Sequence, residues 1–599
     1  MAIMTHRPRQ RVRPSRPGAR PEPAPAQQAR VRPSEPGPDW ARYRVPEGLV
    51  SSILFWNISL QLTEDPQRNE ETFLLMASSI VEMDSLMMST LPSVSIVEPK
   101  CEAHSDCLVG SINRDPGGPD EATSDRMKAR KVVLFPTPGA GHLVAMVELA
   151  KQILHHSGHT LSITILQIHP PSTSPLNSSN TSTHVQAVAA SGLDINFVDL
   201  PPSDYDPEGE GLMQTLSYIE SQKPALSRTL TSISAVTTVS AIVLDMFCIG
   251  VAGVPAELGI PTYVLYTSGA AMLATFLYLP TLDMKYDRDF RELKELIHIP
   301  GRSPVPASAM PIPLQEKKSP SYQWFIRAAE LYSKLDGLLV NTFEGLQPTP
   351  IKALTDGLCT PGSRTPPIYP VGPLLGLRPE SPEHDCIKWL DRQPHASVVF
   401  MCFGSMGAFS PEQIAEIADG LERSGQRFLW SIRIRPSGAS QFSEPEDVDP
   451  REVLPEGFLE RTKEKGLVWP RWAPQVGILS HPAVGGFVSH CGWNSTLESV
   501  WFGVPMISWP LYAEQSMNAY ELVNDLGLSL GVLMKEEGGG LVKGEELDKA
   551  VRSLMEGQEG KKVREKMKEA KNMARKAVEE GGSSYSALAS LVQKWTKGH

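Results

Sequence analysis

Residues able to stack on a ring, hold an anion and bind hydroxyl groups crowd into residues 472–515, WAPQVGILSHPAVGGFVSHCGWNSTLESVWFGVPMISWPLYAEQ. Within this segment GGFVSHCGWNSTLES reads as a strand, a tight turn and a helix, with Asn494 and Ser495 at the helix start. Unsatisfied N–H groups and the helix dipole at such a start favour an anion. Trp472 lies with Ala473 and Gln475 in the Pro-flanked loop PRWAPQ, a setting that favours an indole exposed in a cleft. Glu514 and Gln515 come just after a strand expected at 505–509, where open parallel sheets hold their ligands. The combination reads as a nucleotide-sugar pocket. Single residues also have blander readings. His490 alone fits a structural histidine and Trp472 a core tryptophan, while Ser495-Thr496-Leu497-Glu498 matches a capping box in which Glu498 bonds back to the N-cap backbone.

A second chemical pair lies far upstream. His142 follows an apolar strand (KVVLF) and the turn PTPGAG, near the N-terminus of the next helix, and Asp245 ends another apolar strand. A histidine at a helix start is expected to stay neutral near pH 7, because that end of the helix disfavours imidazolium. A carboxylate on the other ring nitrogen would fix the tautomer and stabilise the imidazolium once formed, which is the arrangement of a general base. Each residue alone also has a structural reading, Asp245 as a helix N-cap. Ser405, in the FGS turn after a further strand, is either a phosphate donor or an ordinary turn serine.

Positioning these residues requires two repeated α/β layers. From Met127 onward, short apolar strands alternate with amphipathic helices, the pattern of parallel α/β folds. The first series predicts strands at 131–135, 161–166 and 241–244 and a helix over 142–156. The second predicts strands at 397–403, 428–432, 467–469, 486–489 and 505–509, with a helix over 411–424. The Pro- and Gly-rich stretches 368–373 and 374–382 read as the connection between them. A helix near 561–580, a Gly581-Gly582 break and a capped amphipathic helix over 584–595 close the chain.

Composition narrows the classes. A chain of 599 residues exceeds one ordinary domain, and a net charge of −11 argues against the broad phosphate contacts of a nucleic-acid binder. The seven cysteines are odd in number and mostly isolated, with no CxxC pair or zinc-type spacing, so reduced thiols, a cytoplasmic setting and no metal site are expected. The longest apolar region, from Ala241 onward, is interrupted by Asp245, Glu257 and Pro261, short of the roughly 20 apolar residues of a membrane span. Residues 1–47 are dense in Arg and Pro and should stay disordered, and 48–126 add two apolar patches and a polar stretch. An organelle transit peptide is one reading of this extension. The more economical expectation is that Met127, directly before the first convincing strand, is the working start, and that 1–126 is a gene-model artefact or an upstream fusion.

The segment 472–515 resembles the signature box of plant UDP-dependent glycosyltransferases of family 1. That resemblance implies the GT-B fold: an N-terminal acceptor-binding Rossmann-like domain over 127–372, a linker region over 373–395 and a C-terminal UDP-sugar domain over 396–580. The last helix, 581–599, would cross back to the N-terminal domain. The resemblance also implies roles. Trp472, with Ala473 and Gln475 beside it, would stack on uracil, and Glu498 would bind both ribose hydroxyls, a task that suits a carboxylate accepting two O–H donors. His490, Asn494, Ser495 and Ser405 would meet the pyrophosphate, and Glu514 and Gln515 the sugar hydroxyls. Gln515 and Trp493 favour UDP-glucose over UDP-galactose and UDP-glucuronic acid. His142 would be the base and Asp245 its partner, in a single inverting displacement without a metal. The segments at Ile299 (IPGR), Asn341 (NTFEGL) and Tyr266 (YTSGAA) resemble flavonoid and phenolic O-glucosyltransferases, with a hormone or terpenoid acceptor as the alternative. The expected partners are a UDP-sugar donor and a small hydrophobic hydroxylated acceptor. The expected assembly is a monomer that binds no nucleic acid and has no membrane span.

Rival classes are weaker. Gly139-Ala140-Gly141 after a first strand suggests a nicotinamide dehydrogenase, but Val144 occupies the third glycine position, and Gln167-Ile168-His169 stand where a ribose-binding acid is expected. DxD strings at 204–206, 287–289 and 447–449 suggest a metal-dependent class, yet each lies in a polar or charged stretch. A catalytically silent UDP-sugar-binding protein is the non-enzyme alternative.

Overall fold

The computed structural model describes residues 130–169, 185–186, 188–201, 203, 211–377, 384–435, 445–532 and 540–597. The expectations for 1–126, for the 204–206 string and for the end of the 374–382 stretch fall outside these residues.

Two parallel sheets carry the chain. The first is built from β1 (Arg130–Phe135), β2 (Leu161–Gln167), β3 (Ile195–Asp199), β4 (Thr238–Asp245) and β5 (Thr262–Tyr266). After a short antiparallel pair set apart from the sheet, β6 (Leu296–Ile297) and β7 (Val305–Pro306), it continues with β8 (Gly337–Val340) and β9 (Ile368–Pro370). Its order is β3-β2-β1-β4-β5-β8-β9. The second sheet uses β10 (Val398–Cys402), β11 (Arg427–Ser431), β12 (Gly466–Trp469), β13 (Val484–Ser489), β14 (Met506–Ser508) and β15 (Ser529–Val532), in the order β12-β11-β10-β13-β14-β15. The central strands are apolar throughout because helices cover both faces of a parallel sheet, and AIVL of β4 and VGGFVS of β13 are buried at every position.

Both orders run outward from the first strand of the half and then reverse, the doubly wound pattern. The reversal falls between β1 and β4 in one half and between β10 and β13 in the other. Ligands of such sheets bind beyond the C-terminal ends of the strands flanking that reversal. In the first half Phe135 pairs with Leu244, so Asp245 lies one residue past the end of the register. In the second, Cys402 pairs with Ser489, which sets Gly404 and His490 side by side at the same relative place.

The helix over 411–424 forms as the sequence predicts, with the Ser410 hydroxyl accepting from the Gln413 N–H and Gly425 ending it at φ 64°. The connection expected at 368–373 is partly wrong. Ile368–Pro370 is the edge strand β9, paired with β8, and Pro370 is tolerated because it closes an edge strand. The final helix, Ser583–Lys597, returns to the first sheet. Leu588, Leu591, Val592 and Trp595 join the cluster of Val132, Leu134 and Tyr263, and the Trp595 and Tyr263 rings meet edge to face at 5.2 Å. No helix among the described residues is long and apolar enough to cross a membrane.

Candidate active site

His142 and Asp245 meet at the reversal point of the first sheet. His142 is the third residue of helix Ala140–His156, and its Nδ1 lies 2.8 Å from Asp245 Oδ2. Asp245 is fully buried and is held from the other side, since Oδ1 accepts from the Thr137 hydroxyl at 2.6 Å and from the Phe247 N–H at 3.1 Å. It therefore does cap the short helix after β4, while its second oxygen serves the histidine. A carboxylate there requires Nδ1 to carry the proton, which leaves Nε2 as the basic nitrogen. Thr267 Oγ also lies 3.3 Å from Nδ1, and its own hydroxyl donates to Met246 Sδ.

The helix start alone would keep His142 neutral, and the structure reverses that sign. Burial pulls the imidazole pKa down, but the Asp245 charge and hydrogen bond, joined by the Glu514 charge, outweigh it, and the pKa is raised above its ordinary value. A full charge at hydrogen-bond distance acts more strongly than the partial charges of a helix end. His142 is thus a stronger base that is deprotonated at higher pH.

The turn after β13 has the character of an anion site. His490 is buried, its Nδ1 has no hydrogen-bond partner among the described residues, and burial lowers its pKa to about 4. Its ring lies between two glycines: a Cβ at Gly404 would sit 2.6 Å from Nε2, and one at Gly492 2.5 Å away. Cys491, between His490 and Gly492, adopts φ 65°, a left-handed conformation that costs a non-glycine residue about 1–3 kcal/mol and collects at functional sites. Helix Trp493–Phe502 starts at Gly492 without a side-chain cap, leaving its first N–H groups for a ligand. Asn494 Nδ2 donates to the Gly141 carbonyl at 3.1 Å, so the first turns of this helix and of the His142 helix touch.

Two of the blander readings fail here. Ser495 and Glu498 lie inside the helix, so they form no capping box; Gln475 Nε2 instead donates to Ser495 Oγ at 2.8 Å and to Glu498 Oε2 at 2.6 Å. Trp472 is 44% exposed, outside the core, with the Arg433 guanidinium 5.8 Å from its ring centroid. Arg433 also donates to the carbonyl of exposed Ser405 at 3.3 Å, linking the aromatic platform to the turn after β10. Ala473 is buried beside Trp472.

Glu514 and Gln515 follow Ala513, which like Cys491 is a non-glycine residue at positive φ (53°). Glu514 takes the N-cap position of helix Gln515–Glu521 without a side-chain cap bond; burial raises its pKa against the opposing pull of the His142 charge, so base and carboxylate interact across the two halves. The Gln515 carbonyl oxygen is taken by the Leu511 and Tyr512 N–H groups at 2.9 and 3.0 Å, which leaves only its amide N–H groups for a sugar. Trp493 is 3% exposed, its indole N–H donates to the Asn341 backbone carbonyl at 2.7 Å, and its ring fills the space beside Gly269, so it joins the two halves.

Sequence reasoning missed Thr137, Thr267, Phe247 and Asn341. Thr137 was within reach, because it lies in the PTPGAG turn just beyond β1, where the reversal point predicts ligand chemistry. Phe247, 5.5 Å from the His142 ring, and Asn341 depend on contacts between distant segments. Of the DxD strings within the described residues, Asp289 pairs with Arg291, and Asp449 caps a helix and pairs with Arg451. No group of three potential metal ligands occurs among the described residues.

Two doubly wound halves, meeting at their ligand-binding ends with a His–Asp pair on one side and an anion turn on the other, define a GT-B glycosyltransferase. The family description "UDP-glucoronosyl and UDP-glucosyl transferase" matches residues 375–566. The chain is 44% identical to malvidin galactosylase UGT88C3 of Oryza sativa subsp. japonica over 77% of its own length and 96% of that protein's. It is also 44% identical to anthocyanidin 5,3-O-glucosyltransferase of a Rosa hybrid cultivar, over 78% and 98%. Among solved structures it resembles Phytolacca americana UGT2 complexed with UDP-2fluoro-glucose and pterostilbene, at TM-score 0.69 and 36% identity, covering 78% of this chain and all of that one. The chain belongs to the plant family-1 UDP-glycosyltransferases and is a UDP-glycosyltransferase.

Proposed function

We propose that the enzyme transfers glucose from UDP-glucose to a hydroxyl of a small phenolic acceptor by a single inverting displacement, giving a β-O-glucoside. The observation that carries this reading is the His142–Asp245 contact of 2.8 Å beside Glu514. His142 Nε2 takes the acceptor proton as the phenolic oxygen attacks the anomeric carbon. The bond from that carbon to the β-phosphate oxygen breaks, and its electron pair leaves with UDP. Asp245 then stabilises the imidazolium.

Trp472 stacks on uracil, with Ala473 and Gln475 beside it, and Glu498 binds the ribose. Ser405, His490, Asn494, Ser495 and the helix start receive the pyrophosphate in place of a metal. Glu514 and the Gln515 amide hold the sugar, and Trp493 supports the pocket from below. The phenolic acceptor is favoured by the relatives' malvidin and anthocyanidin names and by pterostilbene in the solved neighbour. A galactose donor is the second reading, favoured by the rice relative's name.

A mass-spectrometric screen of UDP-glucose, UDP-galactose and UDP-glucuronic acid against anthocyanidins, flavonols, chalcones, stilbenes and hormone acids tests both readings. Hexosylated phenols formed from UDP-glucose, with activity kept in EDTA, are the expected result. Products from UDP-galactose alone would move the donor to the second reading. Activity lost in EDTA and restored by manganese would overturn the metal-free mechanism, and donor binding without any product would leave a silent binding protein.

A further inference from the structure

The Asp245 carboxylate has two oxygens, and the proposed reaction uses only one. Oδ2 meets His142, while Oδ1 accepts the Thr137 hydroxyl at 2.6 Å. Thr137 is 3% exposed and Asp245 fully buried, so no solvent competes for that bond. The Thr137 oxygen in turn lies 3.5 Å from the Sγ of buried Cys248. With the Thr137 proton committed to a carboxylate that can only accept, the thiol is the donor of the second contact. Burial raises the Cys248 pKa well above its usual value, keeping that proton in place. The result is a buried chain from thiol to hydroxyl to carboxylate to imidazole.

We propose that Thr137 is a positioning residue for the His142–Asp245 pair: its hydroxyl holds Oδ1 so that Oδ2 stays aimed at His142 Nδ1. The inference rests on the reading of His142 as the base. Without that hydroxyl, Oδ1 keeps only the Phe247 N–H at a longer 3.1 Å, and the carboxylate is held less firmly about its χ2 bond. The other titratable groups around the pair are Glu514 from the second half, Cys248, and the buried tyrosines Tyr332 and Tyr266. None of these donates a hydrogen bond to Oδ1.

The test is the pH dependence of kcat for Thr137→Val, Thr137→Ala and Thr137→Ser, with His142→Ala in the same assay. Loss of a hydrogen bond to a charged group predicts a fall in kcat of about ten- to a hundredfold in Val and Ala alike. Their acid limb should move to lower pH, because an Asp245 carboxylate no longer aimed at Nδ1 raises the His142 pKa less. The KM for the UDP-sugar should hold. Thr137→Ser, which keeps the donor, should lie closer to the native enzyme than either. Ala carries the test should the Val variant fail to fold. A structural role alone would lower the melting temperature and leave the acid limb in place, and that result, or a Ser variant grouped with Val and Ala, would overturn the inference. Near-native transfer by His142→Ala would overturn the base assignment and this inference together; a dead His142→Ala with an unmoved limb in Val and Ala would overturn this inference alone.

Discussion

His142 shows how one neighbour decides what a residue type can do. At a helix start with no carboxylate it would titrate low; with Asp245 at 2.8 Å its pKa is raised. The base must be neutral to accept a proton, so kcat should climb as pH rises through that raised value. Asp245→Asn removes the charge that raises it, so the acid limb should move to lower pH while kcat falls by about 10²- to 10⁴-fold; a limb that moved upward in pH–rate profiles would contradict the assignment. Trp472, outside the core and open to solvent, supports a separate prediction. Its replacement by Ala should weaken UDP binding by about 1–3 kcal/mol in calorimetry, the worth of a base stacked on an aromatic ring, and raise KM more than it lowers kcat. The exposure of Trp472 was legible in the prolines around it, and the strand-end position of Asp245 in its apolar run. Thr137 was legible only by position, and the inward turn of Trp493 was not legible, because nothing in CGWNST reveals that Asn341, from a remote segment, accepts its N–H.

Among the elements, the two turns at the second reversal point are the most demanding. Gly404 has φ 74°, and any Cβ there would meet the His490 ring, so Gly404→Ala combines backbone strain with a clash inside the anion turn. Gly581, at φ 81° with open space around it, isolates the strain alone. Both Ala variants should lower the melting temperature, Gly404→Ala by more, and only Gly404→Ala should also weaken UDP binding; equal affinity in the two would remove the turn from the site. Strand and helix identities were readable because buried parallel strands are continuous apolar runs and the helices carry caps such as Ser410. Two elements misled for physical reasons. The proline of β9 suppresses a strand reading although an edge position tolerates it, and the Ser495–Glu498 spacing imitates a cap inside a helix that had already begun at Trp493.

The whole molecule divides the work between its halves. In the proposed reaction the second half offers the stacking, ribose and phosphate groups, and the first supplies the base. Trp493 to Asn341, Gln347 to Glu521 at 2.7 Å, and Asn494 to Gly141 tie the halves together around the pocket, and the final helix anchors the chain end on the first sheet. The repeat was visible in the alternation of strands and helices, but these ties pair residues more than a hundred positions apart, beyond any local pattern. Donor binding and proton removal should therefore come apart when the base alone is deleted. The direct measurement is UDP affinity and glucosyl transfer on one preparation of His142→Ala. UDP affinity close to native with transfer reduced by at least about 10²-fold is the predicted result; transfer close to native would contradict the account at its centre.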